Sequence, residues 1–162
     1  RKGFPHHRGF VRDRSLLIPM RCHRNYQHIA SVQTIKASGQ KRFLEGGRAK
    51  GSVFKIGTGS SEIYLCEGFA TGLSIHEAFK SMYRGVQVVV CFSASNLAHV
   101  AESMGHFVVA DHDESQTGEK YAQKTGLPWW MPPVVGDAND FHLSTGLDAL
   151  AQSLHELRRS RT

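Results

Sequence analysis

Three acidic side chains follow apolar runs of the sequence, at the positions where buried strands would end. Glu67 comes directly after Ile63–Cys66. Asp111 and Asp113 come directly after the run at residues 107–110. Reactive groups gather beyond the carboxyl ends of strands in an open parallel sheet. Adjacent carboxylates repel one another unless a hard cation lies between them, and Mg2+ prefers such oxygen ligands. If the two strands are neighbours, the pattern therefore predicts a divalent-cation site suited to phosphoryl transfer.

Each of these acids also has an ordinary explanation. An acid at a strand end is often a solvated turn residue, and Asp113 or Glu114 could cap a following helix. The D-x-D pattern at residues 111–113 is a weak signal by itself. A strand followed by Glu67-Gly68 and a second strand followed by D-x-D, in one parallel sheet, form a stronger combination that favours the metal site.

The elements that would position these acids alternate between strand and helix. Apolar and β-branched runs predict strands at residues 63–66, 86–92, 107–110 and 128–131. The spacing of apolar residues predicts helices at residues 70–82, 96–104, 117–125 and 145–159. This alternation predicts an α/β fold, in which a parallel sheet carries helices on both faces.

The sequence before this alternation has a different pattern. Between residues 14 and 54, short β-like runs are separated by polar or glycine-bearing turns. Residues 56–61 are rich in glycine and serine, which predicts a flexible joint. We therefore expect a small β-rich basic subdomain at residues 1–58, followed by the α/β domain at residues 59–162.

Positive charge is concentrated in the first part of the chain. Residues 1–50 carry twelve basic and two acidic side chains, a net charge of +10, whereas the other 112 residues sum to −4. The twelve include Arg1, Lys2 and Arg8. Four of them lie just before the acidic segment: Lys41, Arg42, Arg48 and Lys50. A solvated basic surface is the ordinary interpretation, but so uneven a distribution favours contact of these four residues with nucleic acid.

Composition argues against several classes of protein. No apolar run approaches the ~20 residues that a membrane span needs, and no secretory signal is visible, so no membrane partner is expected. The cysteines Cys22, Cys66 and Cys91 form no C-x-x-C pair, which argues against a structural zinc site. Two of them fall in apolar runs, as buried reduced thiols of a cytoplasmic protein do. The absence of an initiator Met indicates a fragment of a longer protein.

Two further features could contact nucleic acid. The turn at residues 93–96 lies at the same predicted sheet edge, and its N–H groups could meet a phosphate, although ordinary helix capping explains it equally well. Trp129 and Trp130 could stack on a base. Adjacent strand residues face opposite ways, however, so at least one of the two rings is expected to be core.

Three motifs together resemble the TOPRIM domain of phage- and plasmid-type DNA primases. The strand ending in Glu67-Gly68 resembles the first TOPRIM motif, and the D-x-D at residues 111–113 resembles the second. Residues 137–141 are similar to a D-x-N-D segment downstream in those primases, and residues 41–47 resemble their β-rich lead-in. The resemblance covers nearly the whole chain and implies a Rossmann-like parallel sheet flanked by helices. One departure is a glycine that arrives late after the D-x-D, at Gly118.

The resemblance implies a role for each matched acid. Glu67 would act as general acid/base or as a metal ligand. Asp111 and Asp113 would coordinate Mg2+ or Mn2+. The weaker candidates for a further metal shell are Asp137 and Asp140.

The activity that the resemblance implies is that of a DNA primase core. Such an enzyme is a nucleotidyltransferase that makes primers from nucleoside triphosphates on a single-stranded DNA template, in phage- or plasmid-type replication. A helicase domain or subunit is the further partner that the resemblance implies.

Three other functions remain open. A TOPRIM nuclease would use the same metal site to cleave DNA, and an accessory module derived from a primase would bind nucleic acid without turnover. A phosphatase built on D-x-D is the remotest alternative, because its D-x-D follows the first strand, whereas here a strand ending in Glu-Gly comes first.

Overall fold

The computed structural model describes residues 10–58 and 61–161. The basic residues Arg1, Lys2 and Arg8 lie outside the described residues, as do Gly59 and Ser60 of the expected joint. No helix within the described ranges combines the length and the apolar character needed to cross a membrane.

The described part of the chain folds around one nine-stranded sheet. Its strands are β1 (Phe10–Arg12), β2 (Ser15–Cys22), β3 (Ile29–Lys36), β4 (Lys41–Phe43), β5 (Ser52–Ile56), β6 (Ile63–Cys66), β7 (Gln87–Val90), β8 (Phe107–Val109) and β9 (Trp129–Trp130). Its helices are α1 (Phe69–Ser81), α2 (Ala94–Ala101), α3 (Thr117–Lys124), α4 (Ala138–Thr145) and α5 (Leu147–Arg159). The strands lie in the order β4-β3-β2-β5-β7-β6-β8-β9, and β1 pairs with β2.

The parallel half of the sheet contains β7, β6, β8 and β9, in that order. Cys66, the last residue of β6, lies opposite Val90 of β7 and Val109 of β8. The strands that precede Glu67 and the D-x-D are therefore neighbours, and their carboxyl ends meet at one edge. We call this end of the parallel strands, with Glu67 and Asp111, the carboxylate edge.

Two apolar cores lie on opposite faces of the sheet. Val88 and Val90 of β7 belong to the core formed with α1, α4 and α5, whereas Val89 belongs to the core formed with α2 and α3. Both faces of β7 are buried, which explains its continuous β-branched run. The predicted α/β sheet flanked by helices on both faces is confirmed.

The strands before residue 58, which we call the lead-in, extend the same sheet. Strands β1 to β4 are antiparallel neighbours. Arg21 of β2 lies opposite Val53 of β5, and Phe54 of β5 lies opposite Val90 of β7. The β-rich, basic character of this lead-in agrees with the sequence. The division at residue 58 stays a prediction, since β5 precedes it and yet hydrogen-bonds to the parallel half.

Helix α4 has no counterpart among the predicted helices. Only Ala138 and Asn139 of its eight residues are buried, so the apolar periodicity that indicates a helix is too weak to show it. Gly146, with φ 96°, separates α4 from α5. Helix α5 accordingly begins at Leu147, two residues after the predicted start.

Candidate metal centre

Glu67 lies at the carboxyl end of β6, between two parallel neighbours. The Phe92 N–H donates to the Glu67 carbonyl oxygen at 2.8 Å, which continues the β6–β7 ladder past the strand ends. Helix α1 then packs closely on the sheet because Gly72 has no side chain: a Cβ there would lie 2.7 Å from Cγ2 of Val90. The backbone of Glu67 is thus held between a sheet ladder and a closely packed helix.

The carboxyl group of Glu67 is partly buried, and its pKa lies above the ordinary value. Burial is the largest cause, and repulsion by Asp113 adds to it. The backbone N–H groups of Asp111 and Ala94 donate to this carboxylate and lower its pKa, as does the positive charge of Lys41. A carboxyl that keeps its proton to higher pH suits general acid-base work near neutrality.

Asp111 follows β8 at the same edge. Its Oδ1 atom is buried and has no hydrogen-bond partner within the described part of the chain. Burial, followed by the carboxylates of Glu67 and Asp137, raises the pKa of Asp111 from 3.8 to about 7, while Lys41 acts in the opposite direction. A buried acceptor that lacks a donor and faces other carboxylates is a position that a cation would stabilise.

Asp113 is directed toward helix α3. Its Oδ2 accepts from the Gly118 N–H at 2.8 Å, and its Oδ1 accepts from the Thr117 N–H at 3.1 Å and from the Ser115 hydroxyl. The Ser115 bond is the largest of the causes that hold the pKa of Asp113 below its ordinary value. The capping that the sequence left open is therefore present, and it keeps this carboxylate ionised beside Glu67.

Gly118 lies where α3 meets the acidic strand end. It is buried, and a Cβ added to it would overlap the carbonyl oxygen of Asp111. Its N–H also donates to Asp113. The first turn of α3 contacts the backbone of Asp111 at residue 118. A glycine is therefore needed at this position rather than closer to the D-x-D.

We expect Gly118→Ala to lower the free energy of unfolding by about 1–3 kcal/mol, because the new methyl group forces α3 or Asp111 to move. Urea unfolding of both proteins measures this change. Gly85→Ala is the matched control, since a Cβ at Gly85 meets no atom within 4 Å and its φ is not positive. An equal loss of stability in the two variants would contradict the assignment of Gly118 as a packing position.

Asp137 and Asp140 form a capping box at the start of α4. The Asp137 side chain accepts from the Asp140 N–H at 2.9 Å, and Asp140 Oδ2 accepts from the Asp137 N–H at 3.2 Å. The fully buried Asn139 donates to the Ser74 hydroxyl of α1 at 3.1 Å, which anchors α4. This anchoring brings Asp137 close enough to Asp111 to raise its pKa. A place for either acid in a further metal shell remains a prediction.

His112 connects the D-x-D to the segment that precedes α4. Its Nδ1 lies 2.8 Å from the Pro132 carbonyl oxygen, which can only accept, so Nδ1 carries the proton in this contact. Its backbone N–H donates to the Gly136 carbonyl at 3.0 Å, and the Gly136 N–H donates back at 2.9 Å. His112 therefore positions the chain that leads to Asp137.

The tryptophan pair contributes to packing. Trp130 packs against the core under α1, α4 and α5, with its ring edge-to-face on Phe141 at 5.5 Å between centroids. Trp129 packs against the core on the other face. Both rings thus serve the two cores, as the alternation of strand residues implies, and neither supports the interpretation as a base-stacking site.

Lys41 is the predicted nucleic-acid residue that lies at the carboxylate edge. Its charge lowers the pKa of both Glu67 and Asp111. It lies on β4, which is separated from β6 by four strands in the strand order, but Phe43 of the same strand contacts Phe92, just beyond β7. Arg42 follows it on the strand and points to the opposite face.

Arg48 and Lys50 lie on the turn before β5. Asn96, a buried residue of α2 whose role the sequence did not indicate, holds this turn. Its Oδ1 accepts from the Gly51 N–H at 2.7 Å, and its Nδ2 donates to the Ser52 carbonyl at 2.8 Å. Lys50 lines an open cleft of about 580 Å³ whose other polar side chains include Ser93, Ser95, His99 and Lys124. The Ser93 hydroxyl caps α2, accepting from the Asn96 N–H at 3.3 Å.

Comparison with known proteins agrees with this architecture. A family model described as the Toprim domain matches residues 62–148, more than half of the chain. The chain belongs to the Toprim family. The match begins just before β6 and includes every acid discussed above.

Two solved structures from bacteriophage T7 resemble this Toprim protein in fold. The crystal structure of the primase fragment of the T7 primase-helicase protein has a TM-score of 0.58 and 15% identity, covering 86% of this chain and 62% of that chain. A chain in the structure of T7 lagging-strand DNA polymerase interacting with primase domains, bound to an RNA/DNA hybrid and dTTP, has a TM-score of 0.56 and 16% identity. That match covers 88% of this chain and 76% of the other. The Toprim protein therefore has a primase-like fold and spans less than two thirds of the first of these chains.

The acids of this Toprim domain are not grouped as a finished metal site. Within residues 10–58 and 61–161, no three His, Cys, Asp or Glu side chains could hold an ion together as they stand. Their chemistry nevertheless fits a divalent cation, because Asp111 Oδ1 lacks a donor and Glu67 and Asp111 repel each other. Asp113 keeps acceptor capacity for an ion, since among the described residues its Oδ2 accepts only the Gly118 N–H.

Proposed function

We propose that this Toprim domain is the catalytic core of a DNA primase, a nucleotidyltransferase that makes primers on single-stranded DNA in phage- or plasmid-type replication. The observation that carries the proposal is the carboxylate edge. Two partly buried carboxyl groups, Glu67 and Asp111, stand at the ends of adjacent parallel strands, and the positive charge of Lys41 lowers the pKa of both. This combination of two carboxyl groups and a positively charged side chain suits the binding of a triphosphate and its metal ion.

The residues of the carboxylate edge would have different roles, because their environments differ. Glu67, with its raised pKa, would accept the proton of the attacking hydroxyl group or hold a metal ion. Asp111 and Asp113 would hold Mg2+ or Mn2+, with Asp137 and Asp140 as candidates for outer positions. A bound divalent cation would neutralise phosphate oxygens during the transfer. Lys41 would attract the phosphates of the incoming nucleotide or of the strand.

The lead-in favours a primase over a nuclease that uses the same acids. Strand β5 hydrogen-bonds to β7, and the hairpin that carries Lys41 lies in the same sheet. The likeness to the T7 primase fragment covers 86% of the chain and so extends beyond residues 62–148. A fold likeness that includes both parts supports a primase core, whereas the acids alone would support either activity.

The proposal implies partners and a compartment. Single-stranded DNA and nucleoside triphosphates would be the substrates, and a helicase domain or subunit would be the partner in replication. The cytoplasm supplies these substrates, and the three cysteines, which are all free thiols, agree with a reducing compartment.

The test incubates the protein with single-stranded DNA, labelled nucleoside triphosphates and Mg2+ or Mn2+, and scores extended and shortened products in the same gel. Primer synthesis that is abolished in Asp111→Asn/Asp113→Asn is the expected result. Cleavage products without primers would make the protein a nuclease, and DNA binding without any product would make it an accessory module.

We expect Lys41→Ala/Arg42→Ala to weaken binding of single-stranded DNA, because both side chains extend from the lead-in toward solvent. Each phosphate interaction that the variant removes should flatten the plot of log affinity against log salt by roughly 0.7. Fluorescence anisotropy across a salt series measures the slope. Lys80→Ala/Arg84→Ala removes the same charge from exposed positions at the opposite edge of the sheet and should leave the slope unchanged. Equal slopes in all three proteins would mean that the basic lead-in is only a solvated surface.

A further inference from the structure

Strand β4 places a positive charge and an aromatic ring on one face. Lys41 lies opposite Ile35 of β3, and Phe43 lies opposite Gln33, so the two side chains share a face of the sheet. Two positions along a strand are about 6–7 Å apart. The ring of Phe43 contacts Phe92, the residue whose N–H donates to the Glu67 carbonyl oxygen, so this face is directed toward the carboxylate edge.

Phe43 is exposed for a large hydrophobic side chain. The residue is 46% exposed, although β4 lies in a sheet with a large apolar core beside it. Lys41 and Arg42 precede it on the strand, and the exposed Leu44 follows it, so the ring lies between two basic side chains and a second apolar one. Charged side chains beside an exposed ring are typical of surfaces that bind single-stranded nucleic acid.

Phe92 fixes the orientation of the Phe43 ring. The two rings meet edge-to-face, with centroids 6.4 Å apart and planes at 88°. Phe92 has a φ of 69°, which is uncommon for a residue with a bulky side chain, and its N–H donates to the carbonyl of Glu67. The Phe43 ring is therefore positioned relative to the backbone of the proposed catalytic residue, while part of its surface stays open.

We propose that Phe43 is a stacking platform for a nucleobase at the carboxylate edge. Lys41, two positions away on the same face, holds the phosphate that belongs to the stacked base. This inference rests on the proposed function for the identity of the ligand, a nucleotide unit of single-stranded DNA. Stacking does not depend on the identity of the base, so the platform holds the template strand without selecting its sequence.

The competing explanation is that Phe43 only stabilises the hairpin through its contact with Phe92. That role predicts that loss of the ring weakens every interaction of the hairpin, whether or not the ligand carries bases. A stacking role predicts an effect on ligands with bases alone. The two explanations are therefore separated by a strand that keeps its phosphates and lacks its bases.

The experiment measures the affinity for two fluorescein-labelled strands of equal length, oligodeoxythymidylate and a strand of abasic sites. Phe43→Ala should weaken binding of the first by about 5- to 100-fold and leave binding of the second unchanged. Phe43→Trp should restore the affinity for oligodeoxythymidylate, since it restores a ring. Tyr83→Ala, which removes the ring of a 99% exposed residue between α1 and the start of β7, should change neither affinity.

Three results would overturn the inference. They are an unchanged affinity of Phe43→Ala for oligodeoxythymidylate, an equal loss for the two strands, and a wild-type protein that binds both strands equally. The primer assay is read separately on the same variants. A protein that synthesises no primers but stacks bases on Phe43 would refute the proposed function alone, and an active primase that is indifferent to Phe43→Ala would refute this inference alone.

Discussion

Glu67→Gln should reduce primer synthesis by about 10²–10⁴-fold, the usual contribution of a general acid-base group. Glutamine keeps the shape of the side chain and can neither take up a proton nor hold a cation as a carboxylate does. The affinity for single-stranded DNA should stay nearly the same, because the proposal assigns phosphate attraction to the basic lead-in. Rates of labelled-nucleotide incorporation and anisotropy of a labelled strand measure the two quantities on one preparation.

Glu114→Gln is the control for the charge that Glu67→Gln removes. Glu114 is exposed on the turn after the D-x-D and takes no part in the carboxylate edge, so activity should be retained. Near-normal synthesis by a folded Glu67→Gln protein would reject the assigned role. A parallel loss of synthesis and DNA affinity would instead make Glu67 a structural residue.

The acids could be located from the sequence because local patterns determine where strands end. The runs before Glu67 and Asp111 are apolar, short and bounded by polar residues, and the structure has β6 and β8 there. Their adjacency is a different matter. The order β7-β6-β8 depends on how α1 and α2 cross the two faces, and the sequence could give it only as a condition.

The start of α4 is marked in the sequence by its capping residues, although its apolar pattern is weak. Asp137 and Asp140 have the spacing of a capping box, an acid at the first position and another three residues later. The resemblance implies a metal-binding role for these acids, whereas the apolar spacing predicts no helix after them. Asp113 differs, because its place just before α3 predicts a capping role, and it accepts from the N–H groups of Thr117 and Gly118.

The contribution of the lead-in to the carboxylate edge could not be read from local patterns. The sequence shows the charge of Lys41, but the effect of that charge on Glu67 depends on how the strands from β4 to β7 are arranged in the folded sheet. The contact between Phe43 and Phe92 joins residues far apart in the chain and leaves no periodic signal. Asn96, likewise, is an ordinary polar residue of a helix until its bonds to Gly51 and Ser52 are seen.

Asp111→Asn should reverse the order of stability between wild type and variant when a divalent cation is added. Without metal, burial and repulsion raise the pKa of Asp111 from 3.8 to about 7. Between these two values the folded protein binds more protons than the unfolded chain, so the free energy of unfolding falls as pH rises. Wild type should therefore lose about 4 kcal/mol across this range in EDTA, a loss that Asp111→Asn avoids.

With the cation the effect changes sign. An ion that binds only the folded state stabilises it by about 2.7 kcal/mol at a hundredfold excess over its Kd, and the neutral amide of the Asp111→Asn variant offers it no charge. Urea unfolding at about pH 5 and about pH 8, with EDTA or with Mn2+, measures all four free energies for each protein. Glu114→Gln should follow wild type throughout. If Asp111→Asn loses stability with rising pH as steeply as wild type, or gains as much from Mn2+, then Asp111 is neither the repelled carboxyl nor the ligand, because both roles require its charge.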